Sequence, residues 1–194
     1  MATFTVQSYL SGAVQELPND IAALLGHIAH QYSELEQNLR LALYAAAGVD
    51  EVVGRLAIGI SPRPDEQLTK IQDIVTHLGL NLDRSKLAAF KALAKKVKEE
   101  RDAVVHGVWI YDENKALGIL DINGPWDTGV KELRVTKRMY PPARPITKEI
   151  LENILRNARE AAAQARGLSQ MLHEGLPPSS RGKSVAQSHL RDQR

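Results

Sequence analysis

The strongest constraint on the fold is a run of apolar residues that recurs every three or four positions between residues 21 and 46. This spacing places them on one side of an α-helix, because successive helical residues are separated by about 100°. Pro18, Asn19 and Asp20 are typical of a helix start, and Gly48 of a helix end. The pattern predicts one long amphipathic helix with the apolar stripe Ile21, Leu24, Leu25, Ile28, Tyr32, Leu35, Leu39, Leu43 and Ala46.

Four further segments carry the same helical spacing. We predict a short second helix over residues 50–60, a third over residues 65–78, and a fourth that starts at Asp83 or Ser85 and runs into the segment ending at residue 106. Thr147 is the expected cap of a last long helix. Long helices joined by short connections favour antiparallel packing, so the sequence predicts a helical bundle.

The period changes between the fourth and the last helix. Residues 108–111 and 116–122 are apolar runs around a polar turn, which predicts a β-hairpin, and residues 133–136 are a candidate third strand. The predicted fold class is therefore mainly α, a bundle of about five helices with a small antiparallel β-hairpin insert before the last helix.

The domain organisation follows from the same patterns. We assign residues 1–17 to an N-terminal extension and residues 18–174 to the bundle, with the β insert at about residues 108–137. Residues 175–194 form a basic tail that is rich in Pro, Ser and Arg. This tail has little apolar surface to bury, and we expect it to be disordered.

Charge and cysteine content limit the function classes. The net charge is +2; after Gly175 four basic residues face one acid, a net +3, which leaves the rest of the chain near −1. Such a body does not attract nucleic acid by a broad field, so an RNA contact requires a local basic cleft or the tail. The absence of cysteine excludes disulfides, thiolate nucleophiles and thiolate zinc sites. No secretory leader and no apolar run of roughly 20 residues is seen, so we expect a cytoplasmic protein without membrane contact.

The segment from Arg101 to His106 has the clearest chemical content. Arg101 falls at the edge of the packing face of the fourth helix, where a charge needs a partner. Asp102 and His106 are four residues apart and share a helical face, so the carboxylate can orient the imidazole. A histidine that moves protons and a guanidinium that stabilises a phosphorane suit RNA cleavage by the ribose 2′-OH. We see no clustered carboxylates of the two-metal type.

One histidine cannot serve as both base and acid in a single cleavage step. A symmetric dimer that brings two copies of the segment face to face supplies the second imidazole, and we therefore expect a homodimer.

Arg101, the polar residue Asp102 and His106, at the end of a long helix in an α-helical domain, resemble the Arg-x4-6-His motif of the HEPN superfamily. The resemblance spans residues 18–173 in architecture and six residues in motif. It implies a homodimer with paired motifs in an interface cleft, and metal-independent endoribonuclease activity in toxin–antitoxin, phage-defence or RNA-processing systems. It further implies Arg101, Asp102 and His106 as catalytic residues, an RNA substrate, no cofactor, and a cognate antitoxin as a partner. Asp102 would orient either His106 or Arg101.

The same residues also admit a purely structural interpretation. Arg101 and Asp102 can pair with Glu34 or Glu36 of the first helix, and His106 can cap the fourth helix. The alternative function is then a non-catalytic HEPN-like dimer that binds a partner protein, a nucleotide or RNA. A structural protein of a phage or mobile element is a third hypothesis.

Other residues are candidates for supporting roles. Glu36 and Tyr32 are candidate supporting residues of the active site. A solvated acid explains Glu36 equally well, and a half-buried core tyrosine explains Tyr32 better. Lys95, Lys98 and Trp109 are candidate RNA contacts, the alternatives being a solvated helix face and a tryptophan that covers the bundle.

A metal site is the weakest of the candidate sites. His27, His30 and Glu34 have a spacing that can gather a metal on one helix. Polar residues that flank the apolar stripe explain them better, so we predict no metal.

Overall fold

The computed structural model describes residues 16–57, 63–79, 82–111, 117–120 and 144–175. Within these ranges the chain forms five α-helices and a three-stranded antiparallel sheet, which confirms the predicted fold class. The remaining parts of the predicted N-terminal extension, second helix, insert and basic tail lie outside the described residues. The elements are α1 (Asn19–Ala47), α2 (Glu51–Ala57), α3 (Pro64–His77), α4 (Arg84–His106), β1 (Val108–Tyr111), β2 (Leu117–Leu120), β3 (Arg144–Pro145) and α5 (Lys148–Gly175).

The helix ends follow the local signals in the sequence. Gly48 and Gly79, which follow α1 and α3, have φ values of 68° and 71°, in the left-handed region that glycine adopts without strain. Asp83 is the cap of α4, because its Oδ1 accepts the backbone N–H of Ser85 at 3.0 Å. Thr147 Oγ1 accepts the N–H of the third residue of α5 at 3.3 Å. Of the two predicted caps of α4, the structure thus selects the aspartate.

The chain divides into two compact units. The first, here called the motif unit, comprises Met1–His30 and Lys98–Arg156. Its described part holds the start of α1, the end of α4, the sheet and the start of α5. The apolar core of this unit draws residues from each of these elements, which ties the end of α4 to the sheet. The core residues are Ile21, Ile28, Val104, Trp109, Ile119, Ile146, Leu151, Ile154 and Leu155.

The sheet of the motif unit has the order β1-β2-β3, with both pairs antiparallel. Trp109 lies opposite Ile119 in the first pair, and Gly118 lies opposite Pro145 in the second. The third strand is thus the short segment Arg144–Pro145, whereas the candidate strand at residues 133–136 lies outside the described residues. A proline is compatible with this position because the strand is at the edge of the sheet.

The second unit, here called the helical unit, comprises Gln31–Val97 and Asn157–Arg194. Its described part is a helical bundle made from the rest of α1, α2, α3, most of α4 and the rest of α5. Its core draws apolar residues from α1, α3, α4 and α5, for example Leu35, Ile71, Phe90 and Ala161. The short helix α2 packs differently, since Gly54 is its buried residue.

Among the described residues, no helix combines the length and the apolar character that a bilayer span requires.

Candidate active site

The last turns of α4 place the predicted site residues at the margin of a packed face. Val104 is fully buried in the core of the motif unit, whereas Val105 is exposed. Arg101 lies three residues before Val104, so its side chain emerges beside the buried face and remains only 26% exposed. His106 is the last residue of α4 and is exposed. The helix therefore anchors the site through Val104 and presents His106 to solvent.

The guanidinium of Arg101 connects the other two residues of the predicted motif. Its Nη1 donates a hydrogen bond to Asp102 Oδ1 at 2.7 Å and lies 3.1 Å from His106 Nε2. Arginine nitrogens only donate, so Nε2 must be the acceptor in this contact. We therefore assign a neutral imidazole that carries its proton on Nδ1.

Lys98 is the second cation on Asp102. Its Nζ lies 2.5 Å from Asp102 Oδ2, one helical turn earlier on α4. Burial of the Asp102 carboxyl raises its pKa, but the hydrogen bonds from Lys98 and Arg101 outweigh this effect and leave the pKa below its ordinary value of 3.8. Asp102 is therefore ionised at neutral pH. Lys98 and Arg101 thus each donate to a different oxygen of the same carboxylate.

These contacts refine the predicted roles of the motif. The sequence left open whether Asp102 orients His106 or Arg101; in the structure the carboxylate bonds to Arg101, and the imidazole meets the guanidinium. Sequence reasoning missed the contribution of Lys98 to this group, although the four-residue step from Lys98 to Asp102 is the spacing of a helical ion pair. Glu34 is one of the acids that the sequence offers as a partner of Arg101 or Asp102. In the structure Glu34 Oε2 accepts a hydrogen bond from Arg166 at 3.2 Å.

Trp109 secures the end of the helix that carries His106. Its indole Nε1 donates to the backbone carbonyl of Val104 at 3.1 Å, and its ring lies in the core of the motif unit with 9% of the residue exposed. The carbonyl of Val104 belongs to the last turn of α4, where intrahelical donors run out. Little of the ring is left for stacking on a base, so Trp109 acts here as a structural cap.

The other predicted site residues lie in the helical unit. Tyr32 is buried in its core, Glu36 is half-buried, and Lys95 is exposed on α4. The motif residues Lys98, Arg101, Asp102 and His106, by contrast, all belong to the motif unit.

The described residues contain no group of three or more His, Asp or Glu side chains arranged to hold a metal ion. His27 and His30 are exposed on α1, and Glu34 is engaged with Arg166.

Exposed apolar residues lie close to His106 along the chain. Val105 and Val108, on either side of His106 and Gly107, are 37% and 36% exposed, and Tyr111 at the end of β1 is 42% exposed. These side chains add exposed apolar area close to His106 along the chain.

Comparisons of the chain with protein-family models, with curated proteins and with solved structures find no match.

Proposed function

We propose that this protein is a metal-independent endoribonuclease of the HEPN type that acts as a homodimer in the cytoplasm, in a toxin–antitoxin or phage-defence system. The observation that supports this proposal best is the position of Arg101 Nη1, in contact with the Asp102 carboxylate and with His106 Nε2. A phosphate-binding cation and a proton acceptor therefore lie side by side at an accessible helix end. The assignment to HEPN rests on the resemblance of the motif.

The reaction follows from the charges of these groups. His106 Nε2 takes the proton of the ribose 2′-OH, whose oxygen attacks the adjacent phosphorus, while Arg101 stabilises the charge of the phosphorane. The bond from phosphorus to the 5′-oxygen then breaks, and that oxygen takes a proton from an imidazolium. The products are a 2′,3′-cyclic phosphate and a 5′-hydroxyl end, and no metal ion takes part.

The second imidazole comes from a second copy of the chain. A base and an acid are both needed within one cleavage event, whereas the segment contains one histidine. A two-fold axis near His106 would pair the two motifs and cover the exposed side chains of Val105 and Val108. The proposed interface thus places two guanidinium–imidazole pairs on one RNA strand.

An RNA cleavage assay tests the proposal. We expect the purified protein to cleave RNA in the presence of EDTA and to leave 2′,3′-cyclic phosphate ends. His106→Ala and Arg101→Ala should each lower the rate by at least about 100-fold, the size of one lost acid–base or electrostatic contribution. His27→Ala is the matched control, since it removes an exposed histidine of the same unit that lies outside the motif.

Mixed dimers test the shared site. If both imidazoles are required, a randomised equal mixture of wild type and His106→Ala retains about one quarter of the activity, whereas independent sites would retain about one half. Cleavage that requires added metal, or that survives His106→Ala, contradicts the proposal. A dimer that binds RNA or a protein without cleaving RNA would instead establish the non-catalytic function.

A further inference from the structure

Lys98 is the one member of the charged group on α4 that lies outside the Arg-x4-His pattern. Its Nζ is 2.5 Å from Asp102 Oδ2, and the two side chains are 31% and 30% exposed. The sequence predicts this lysine as a candidate RNA contact. In the structure its ammonium group donates to Asp102 Oδ2, whereas Arg101 donates to the other oxygen, Oδ1.

We infer that Lys98 is a positioning residue of the proposed nuclease site: it occupies one oxygen of Asp102 and thereby holds Arg101 against His106. This inference rests on the proposed function and adds a residue to it. The contacts form one chain, from Lys98 to Asp102 Oδ2, from Asp102 Oδ1 to Arg101 Nη1, and from the same Nη1 to His106 Nε2.

The geometry of the arginine–carboxylate pair explains why the lysine matters. A guanidinium and a carboxylate prefer a two-pronged arrangement in which both oxygens accept from the same arginine. Lys98 disfavours that arrangement by taking Oδ2, so the bond that Asp102 accepts from Arg101 falls on Oδ1. Without Lys98, the two-pronged pair becomes available, and the guanidinium turns toward Asp102 and away from the imidazole.

A positioning lysine and a phosphate-binding lysine differ in their kinetic effects. Loss of a contact to the RNA backbone weakens binding, raises KM and reduces the dependence of binding on salt. Loss of a residue that orients Arg101 lowers kcat far more than it raises KM, because the misplaced guanidinium loses more stabilisation of the charged phosphorane than of the ground-state phosphate.

Three variants distinguish these roles. Lys98→Met removes the charge and retains most of the apolar stem, and Lys98→Arg keeps a donor for Asp102 Oδ2. Lys148→Met is the matched control, since it removes the lysine of another ion pair in the motif unit, the exposed Lys148–Asp20 pair at 3.2 Å. We would measure kcat and KM on one RNA, and record the ring nitrogen NMR signals of His106 in the substrate-free protein.

We expect Lys98→Met to lower kcat by about 10- to 100-fold, the effect typical of groups that orient a functional side chain, with KM within about two-fold of wild type. Lys98→Arg should recover most of the loss, and Lys148→Met should match wild type. The His106 ring nitrogens should shift in Lys98→Met and not in Lys148→Met, because the Nε2 contact with Arg101 is lost in the first variant alone.

Two results overturn the inference. One is a raised KM with unchanged kcat in Lys98→Met, which would make the lysine an RNA contact. The other is a set of His106 ring signals identical to wild type. The NMR measurement also separates this inference from the proposed function: a wild-type protein that cleaves no RNA refutes the nuclease, while the ring signals still decide whether Lys98 positions Arg101.

Discussion

Replacement of Trp109 by phenylalanine tests whether the indole cap holds the end of α4. The change removes the donor that satisfies the Val104 carbonyl at 3.1 Å and reduces the volume of a side chain that is 9% exposed. A phenyl ring cannot donate, so the carbonyl of a fully buried residue loses this partner in the last helical turn. We expect the motif unit to lose stability and the segment that carries His106 to loosen.

The magnitude has two parts. An unsatisfied buried carbonyl costs about 1–3 kcal/mol, and the space left by the smaller ring adds about 1 kcal/mol. The free energy of unfolding should therefore fall by about 2–4 kcal/mol. For a chain of this length about 1 kcal/mol shifts Tm by about 2–4 °C, so a loss of about 3 kcal/mol lowers Tm by about 6–12 °C.

Urea denaturation followed by far-UV circular dichroism measures this loss, with the m value as a check that the unfolded state is unchanged. Ile119→Val is the matched control, because Ile119 lies opposite Trp109 in the sheet, is 2% exposed, and loses volume without losing a donor. This control should cost about 0.5–1.5 kcal/mol. If Trp109→Phe costs no more than Ile119→Val, the hydrogen bond to Val104 contributes nothing and the cap argument is wrong.

Two further predictions concern packing and pH. Gly54→Ala should lower the free energy of unfolding, because the new Cβ would lie 2.5 Å from the buried ring of Tyr44, and overpacking of about 1–3 kcal/mol exceeds the helix-propensity gain of about 1 kcal/mol. Gly167→Ala places its Cβ where no atom lies within 4 Å, so it should raise the free energy of unfolding by about 0.5–1 kcal/mol. Equal effects of the two variants in thermal melts would refute the close contact at Gly54. Asp102→Asn should have a lower free energy of unfolding than wild type at neutral pH. This difference in free energy should vanish as the pH falls through the lowered pKa of Asp102, since wild type then loses the same charge. A difference that persists below that pKa would contradict a stabilising ion pair.

Periodicity and capping were sufficient to predict the helices. The long stripe of α1, the left-handed glycines after α1 and α3, and the threonine before α5 are local signals, and the structure follows each of them. The third strand was not predictable in this way. Its two residues, Arg144 and Pro145, join the sheet through long-range pairing with β2. A segment of two residues is too short to show the alternation of polar and apolar side chains that indicates a strand.

The sequence shows which charged residues occur near the end of α4, whereas it does not show which of them bond to one another. The spacing of Asp102 and His106 on one helical face suggested direct contact, but the cations on either side of the carboxylate compete for it and win, because charged donors bind a carboxylate more strongly than a neutral imidazole does. The structural role of Trp109 depends on a hydrogen bond from its indole, in β1, to the carbonyl of Val104 in the last turn of α4. No local sequence pattern in α4 predicts this contact.

The contact between Arg101 and His106 has a consequence for how the proposed nuclease would begin its reaction. The lone pair of His106 Nε2, which must accept the 2′-OH proton, is occupied by Arg101 Nη1 at 3.1 Å. A phosphate that enters the site offers the guanidinium an anionic acceptor in place of a neutral one, and this exchange is favourable because opposite charges attract and the planar guanidinium can donate two parallel hydrogen bonds to a phosphate. In the proposed nuclease, movement of Arg101 onto the phosphate would release Nε2 when RNA binds. Binding of the substrate and exposure of the base would then be one event, in which Asp102, in contact with Lys98, would keep the guanidinium within reach of both acceptors.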